Sequence, residues 1–456
     1  MNFLQVYSFN RRLEQTDWNI ILYYARRVQS LPSLRGSCGL ALECLEELLR
    51  PPPSTVSIFP KLRDVGLTVP WKGFSRFVRQ FSSPILTRLH LGHTEELETG
   101  IGAFGEGCPN VVSFNVLAPA DPDTISSLIC HWPNLYSVNC KQVDLNVAAL
   151  SHLSRLHNLH YLEFRLHEEV ADFIQPSQSG TSILTFSTLL SLRMFSRSLA
   201  SDWKFLHHFR PPVIHCLDVF LRVTPTMPEL ISFFAVLEET CAHNTLGSLY
   251  LILEDSFDFE SLSSASEIVE DLPPYYVTFD HLRPLTVFAN ILVILIDLGC
   301  GVDLNERELL CLASSWPRLN SFSVCSNQHW TASSGITPGG FVQLLERCRS
   351  LQSLDIVFDT RGYTEIPQGH PWSGLTMPGN AYLDVHSSLI EEESINALAV
   401  FFHVAPFPNF SLNTTWDADD RDFRNSRTPE ELRILYHDRW VEVESRARSL
   451  WEERRA

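Results

Sequence analysis

One arrangement of apolar and polar positions recurs along almost the whole chain: L-x-x-L-x-L, with Ile, Val, Phe, Met or Cys also accepted at the apolar sites. Ten full copies are Leu62/Val65/Leu67, Leu86/Leu89/Leu91, Val111/Phe114/Val116, Leu135/Val138/Cys140, Leu159/Leu162/Phe164, Leu189/Leu192/Met194, Ile214/Leu217/Val219, Leu246/Leu249/Leu251, Leu319/Phe322/Val324 and Leu351/Leu354/Ile356. Weaker copies begin at Val28, Ile291, Asn380 and Phe410. The end of each copy alternates apolar and polar, the pattern of a strand with one face buried. From Val28 to Phe410 the mean step is about 29 residues, a period that belongs to stacked repeats.

Between the strand copies, apolar residues return every three or four positions, as on a helix with one buried face. Examples are Phe74, Phe77, Val78 and Phe81; Ile125, Leu128 and Ile129; Leu230, Phe233, Phe234 and Leu237; Leu309, Leu310 and Leu312; and Phe341, Leu344 and Leu345. Helix starts are expected at Asp123, Pro228, Asn305 and Thr337-Pro338. Proline stands two residues ahead of the signature at Pro60, Pro84, Pro109, Pro133, Pro212, Pro317 and Pro408, where its missing N–H removes no ladder bond. A unit of strand, turn, helix and turn requires parallel strands joined by right-handed crossovers. The fold class expected is α/β, a leucine-rich-repeat solenoid shaped as a ribonuclease-inhibitor-like horseshoe, with strands on the concave wall and helices on the convex wall.

Alternation across each strand directs the residues flanking the second and third apolar sites away from the core. Serine holds the first of these places repeatedly, as at Ser113, Ser137, Ser191, Ser248, Ser321 and Ser353. Aromatic, arginine and acidic residues concentrate near the middle of the row, the types that dominate interface hot spots. The partner-binding residues expected are Arg88, His90, Tyr161, Glu163, Arg165, Arg193, Phe195, Asp218, Phe220 and Tyr250.

With its copies written out, the chain resembles the F-box and leucine-rich-repeat proteins of mushroom-forming fungi. Asp17-Trp18 and the run Tyr24-Ala25-Arg26-Arg27-Val28-Gln29-Ser30-Leu31 are similar to the segment leading from the F-box into the first repeat. Cys108-Pro109-Asn110-Val111, Trp132-Pro133-Asn134-Leu135, the run from Cys348 to Ile356, and Phe407-Pro408-Asn409-Phe410 are similar to its repeats. The resemblance implies a substrate receptor of an SCF-type ubiquitin ligase. The F-box itself is not found within this chain, so a Skp1-type adaptor is implied as a partner only where an F-box lies upstream. The alternative is a stand-alone scaffold or inhibitor with no ubiquitin link.

The domain division expected is an N-terminal cap over 1–27, the solenoid over 28–415, and a linker with a capping helix over 416–456. That helix is announced by Thr428-Pro429-Glu430-Glu431 and carried by Leu432, Leu435, Tyr436, Trp440, Val443, Ala447, Leu450 and Trp451.

Composition narrows the function further. A formal net charge of −18 across 456 residues disfavours a phosphate-binding surface, so no nucleic acid is expected as partner. The acidic run from Glu254 to Asp271 reads as a solvated loop. Neither an apolar leader nor an apolar run of about 20 residues is present, so no membrane association is expected, and the location expected is cytoplasmic or nuclear. The 11 cysteines are scattered without C-x-x-C spacing and are read as core thiols. The chain shows no P-loop, dinucleotide fingerprint, H-E-x-x-H or G-x-S-x-G, and the histidines His152, His157, His160, His207 and His208 select no catalytic pair. No enzyme activity, cofactor or metal is expected; the partner expected is a protein of unspecified identity.

Overall fold

The computed structural model describes residues 9–31, 42–53, 55, 57–67, 74–92, 98–168, 184–254, 276–325, 335–364, 380–385, 388–403, 409–414 and 430–455. Two compact units divide the chain, Met1–Arg197 with Lys204–Ile214, and Ser198–Trp203 with His215–Ala456.

In the first unit the main ladder holds β1 (Ser30–Leu31), β2 (Asp64–Leu67), β3 (Arg88–Leu91), β4 (Ser113–Val116), β5 (Ser137–Asp144), β6 (Tyr161–Leu166) and β8 (Ser191–Ser196). Every neighbouring pair is parallel, and the registers align like positions of the signature, as in Leu89 opposite Phe114 and Leu162 opposite Leu192. A short side pair joins β7 (Leu184–Thr185) to β9 (Phe209–Arg210). The second unit repeats the plan with β10 (Cys216–Leu221), β11 (Ser248–Leu253), β13 (Val293–Asp297), β15 (Ser321–Val324), β16 (Ser353–Asp355), β17 (Asn380–Asp384) and β18 (Asn409–Asn413). Its side pair is β12 (Tyr276–Thr278) with β14 (Gly301–Asp303). Each signature anchor in the sequence, weak copies included, marks a strand of these ladders, with one shift: β18 sets Asn409 rather than Phe410 opposite Asn380, and Leu412 opposite Leu383. The α/β leucine-rich-repeat architecture is therefore present in both units.

A recurring hydrogen bond explains the tight step from one repeat to the next. The carbonyl just ahead of many of the strands accepts two N–H groups from the following repeat: Arg63 from Thr87 and Arg88, Tyr136 from His160 and Tyr161, Leu292 from Asn320 and Ser321. Two donors on one acceptor satisfy backbone groups that the turn would otherwise leave unpaired. Asparagine side chains add to this: Asn110 Nδ2 donates to the Pro84 carbonyl at 2.7 Å and Asn290 Nδ2 to the Asn244 carbonyl at 2.8 Å.

The apolar members of the signature form the core. Val65, Leu89, Phe114, Val138, Leu162 and Leu192 are all 0% exposed. Helices close the other side of the core in each unit, Pro122–Ile129 and Val147–Ser154 in the first, and Met227–Thr240, Glu306–Ser315 and Pro338–Arg347 in the second. Two of the expected starts differ: Asp121 rather than Asp123 caps the first of these helices, and Thr226 with Glu229 forms the box ahead of Pro228. Phe74–Phe81 is a 3-10 helix. Asn305 caps as expected, its side chain accepting from the Glu308 N–H at 3.1 Å while Glu308 returns to the Asn305 N–H at 3.0 Å. Asn305→Ala should destabilise the second unit by about 1 kcal/mol in urea unfolding, whereas Asn305→Ser should restore most of that.

β11 pairs directly with β13 through Leu249 opposite Ile294, and the described residues of the long interval before Ile291 add no strand to the ladder. The described part of the interval supplies β12, the turn Phe279–Leu282 and the 3-10 helix Arg283–Val287. Of the acidic run, Glu254 is described, held by Arg222 at 3.1 Å, and 255–271 lies outside the described residues.

The helix Glu430–Arg455 packs on Ile395–His403 within the second unit. Its Trp440, Val443 and Ala447 are buried, and Trp440 Nε1 donates to the Ser388 carbonyl at 3.0 Å. Leu432 and Leu435, expected on the same buried face, stay 40% and 39% exposed. Thr428 and Pro429, the expected cap, lie outside the described residues.

Candidate protein-binding face

In the first unit the outward row begins as an ion-paired edge. Asp64 on β2 is met by Arg88 at 3.2 Å and His90 at 3.7 Å from β3, with Ser30 Oγ donating from β1 at 3.3 Å. Across β4 and β5 the row turns neutral with Ser113, Asn115, Ser137 and Asn139, all half-buried. At β6 and β8 it becomes densely polar and aromatic. Register places Glu163 beside Arg193 and Arg165 beside Phe195.

There the Tyr161 hydroxyl donates to Glu163, and Arg193 lies 3.9 Å from the same carboxylate. Lys141 on β5 stands 4.8 Å over the Phe195 ring, a cation–π contact. Glu163 and Phe195 are only 4% and 3% exposed, so the expectation of open solvent at both positions is corrected. The reason is spacing: Tyr161 shares a face of β6 with Glu163 two residues on, and strands about 4.8 Å apart bring Arg193 and Lys141 within reach of the carboxylate and the ring. What the face presents is the edge of a pre-assembled set, with Tyr161, Arg165, Arg193 and Lys141 half-buried around a covered carboxylate and ring. A side chain already held by neighbours loses less rotamer freedom when a partner arrives.

Tyr136, one residue before the outward row, was not among the expected binding residues. Its ring is 52% exposed and stacks on His160 at 4.6 Å and 21°. The signal was available, since residues at this site in successive repeats are one strand spacing apart. His152 instead turns to the Trp132 carbonyl at 3.1 Å.

The second unit holds Asp218, Phe220 and Tyr250. Asp218 is also covered, at 3% exposure, and accepts from Cys216 Sγ at 3.1 Å, so it too departs from the expected solvent position. Register sets Asp218 beside Tyr250, and Tyr250 beside Leu295. Further along, Ser323, Asp355 and Asp384 align on β15, β16 and β17. Burial pushes the Asp355 carboxyl up to about 6, Asp384 beside it pushes in the same direction, and the Ser323 hydroxyl opposes. Tyr382 completes this end, its hydroxyl accepting from Asn413 at 2.8 Å and its ionisation pushed up by burial.

The Asp355 shift has a sign that can be measured. A carboxyl whose folded value exceeds its unfolded one binds its proton more tightly when folded, so the group favours folding at low pH and opposes it increasingly as pH rises from about 4 through about 6. Asp355→Asn should therefore gain stability relative to the parent over that window. The gain levels off above it at on the order of 2 kcal/mol, read from thermal unfolding between pH 4 and 8. A parallel pH profile for parent and variant would show that Asp355 is not the coupled group.

Among the described residues no group of His, Cys, Asp and Glu could hold a metal ion, and no helix is long and apolar enough to cross a membrane. No family model and no curated protein matches the chain. Among solved structures, an internalin from Listeria monocytogenes is similar with 11% identity, a TM-score of 0.34, and 90% of this chain and 87% of that chain covered. The Rad7 and Elc1 complex from yeast is similar with 16% identity, a TM-score of 0.39 and 76% of each chain covered. The plant peptide hormone receptor RGFR1 in complex with RGF2 gives 10% identity, a TM-score of 0.35, and 79% and 54% coverage. The assignment of the fold rests on the parallel ladder and its repeat, independently of these likenesses.

Proposed function

We propose that the protein is a protein–protein interaction module whose strand face holds a protein partner, serving as the substrate-recognition part of an SCF-type ubiquitin ligase receptor. The observation that carries the binding reading is the Tyr161, Glu163, Arg193, Lys141 and Phe195 set, whose members are ordered against one another on adjacent strands. Aromatic and arginine side chains on a rigid sheet supply large contact area at small entropic cost. The ligase role is supported by the sequence resemblance to fungal F-box and leucine-rich-repeat proteins. An unattached scaffold or inhibitor is the competing reading.

Two experiments separate these claims. The double variant Tyr161→Ala with Arg193→Ala should lose partner capture at least tenfold while its thermal midpoint stays within about 2 °C of the parent, since both side chains lie outside the apolar core. Retained capture would exclude this patch. Co-purification of a Skp1 homologue with the product of the longest transcript carrying this chain supports the ligase role, and its absence leaves the scaffold reading.

A further inference from the structure

Two thiols in the second unit, 25 residues apart in the chain and unused by the binding face of the first, lie against each other. Cys300 Sγ and Cys325 Sγ are 3.4 Å apart. Cys300 sits in the turn between β13 and β14, and Cys325 follows β15 directly. Both backbones are already fixed: β13 and β15 pair in register up to Ile296 opposite Val324, and the Cys325 N–H then bonds the Ile296 carbonyl. The turn itself requires Gly299, at φ +67°, where a Cβ would come within 2.9 Å of Leu253 Cδ1. Cys325 adopts φ +46°, a left-handed conformation that few non-glycine residues take.

We propose that Cys300 and Cys325 are an oxidisable pair that closes to an intramolecular disulfide, tying the turn after β13 to the end of β15. A disulfide needs the sulfurs near 2.05 Å, so closure asks for about 1.4 Å of approach, within reach of side-chain rotation on two held backbones. The oxidant is hydrogen peroxide. Cys300 is 5% exposed and Cys325 0%, which makes Cys300 the sulfur that meets it. The Cys300 thiolate attacks the peroxide, giving Cys300 sulfenic acid and hydroxide; the Cys325 sulfur then displaces the sulfenic oxygen, which leaves as water. Two thiols are oxidised by two electrons and one peroxide is reduced to two waters. The hydrogen bond with Cys300, followed by burial, pushes the Cys325 ionisation well up. That assigns Cys325 the second, resolving step rather than the first. The reaction is correspondingly slow, because it waits on local opening of a buried site.

Cys130 and Cys311 are exposed and serve as internal comparisons. The purified full-length chain is held with millimolar hydrogen peroxide, quenched, alkylated in denaturant without reductant, and digested for mass spectrometry. The expected result is a cross-linked peptide pair joining Cys300 to Cys325, two mass units below the sum of the reduced peptides and absent from Cys300→Ser and from Cys325→Ser. Oxidised parent should melt about 3–8 °C above reduced parent, a difference abolished by dithiothreitol. Recovery of both cysteines as alkylated thiols after Cys130 and Cys311 have been oxidised would overturn the proposal. So would a disulfide joining either one to any other cysteine. The linked-peptide measurement is made on the unaltered chain, so it decides the matter whether or not the serine variants fold.

Discussion

Phe205→Ala is expected to destabilise the first unit by about 3–5 kcal/mol, lowering its thermal midpoint by roughly 10 °C. Phe205 is 0% exposed at the centre of an aromatic cluster. Its ring lies 5.4 Å from Phe164, 4.8 Å from Phe209 and 6.5 Å from Phe186, so one side chain links β6 to the side pair of strands. Truncation removes the transfer free energy of the ring and leaves a void lined by three other rings, Phe164 fixed on β6 and Phe186 and Phe209 at the side pair. Phe205→Leu fills much of that void and should recover more than half of the loss. If Phe205→Ala unfolds within 1 kcal/mol of the parent, measured by urea titration, the cluster is not the core that the ring distances describe.

A loss of similar size, about 3–5 kcal/mol, is expected for Trp440→Ala in the second unit. The indole is 1% exposed and its Nε1 donates to the Ser388 carbonyl at 3.0 Å. Arg439 Nη1 donates to the neighbouring Ile390 carbonyl at 2.7 Å, and Arg446 bonds Asn396, so the helix Glu430–Arg455 is held on the segment between β17 and β18 by one apolar plug flanked by polar clamps. A repeat array exposes apolar surface at its end unless something covers it. Trp440→Phe keeps most of the plug but leaves the Ser388 carbonyl without its indole donor. It should cost about 1–2 kcal/mol. Hydrogen exchange distinguishes the consequences: in Trp440→Ala, amides of both 395–403 and 430–455 should lose protection together. Protection lost from the terminal helix alone would mean that it does not support the repeat beneath it.

The strands were legible because each demands the same three apolar residues at fixed spacing, and a pattern repeated that often outweighs local exceptions. Even the copy at Asn380, with asparagine where a leucine stands first elsewhere, proved to be β17, aligned with β16 through Leu383 opposite Leu354. Helix caps were legible where the capping side chain directly precedes the apolar run, as at Asn305. They were missed by two residues where proline and a second aspartate crowd the start, as at Asp121-Pro122-Asp123.

The face was legible in direction but not in depth. Alternation shows that Glu163, Phe195 and Asp218 leave the core, yet whether they reach solvent depends on which side chains of their own and other strands lie over them. Arg193 beside Glu163 and Lys141 over Phe195 come from other repeats and leave no trace in the local sequence, whereas Tyr161, two residues before Glu163, was readable there. The Cys300 and Cys325 contact left a faint trace, two cysteines separated by 25 residues, close to the repeat period. The turn at Gly299 that aims one at the other is set by backbone conformation rather than by the apolar pattern.

The claim that a partner is held on the strand side of the repeat is tested most directly by photo-crosslinking from chosen positions of the first unit. Benzoylphenylalanine placed at Ser113, Asn115 or Asn139 on the strand side, beside the residues that carry capture, should form a covalent adduct with the captured protein. The same residue at Ser127 or Arg155, exposed positions on the helix side, should form none. Adducts from Ser127 or Arg155, with none from the strand positions, would contradict the account.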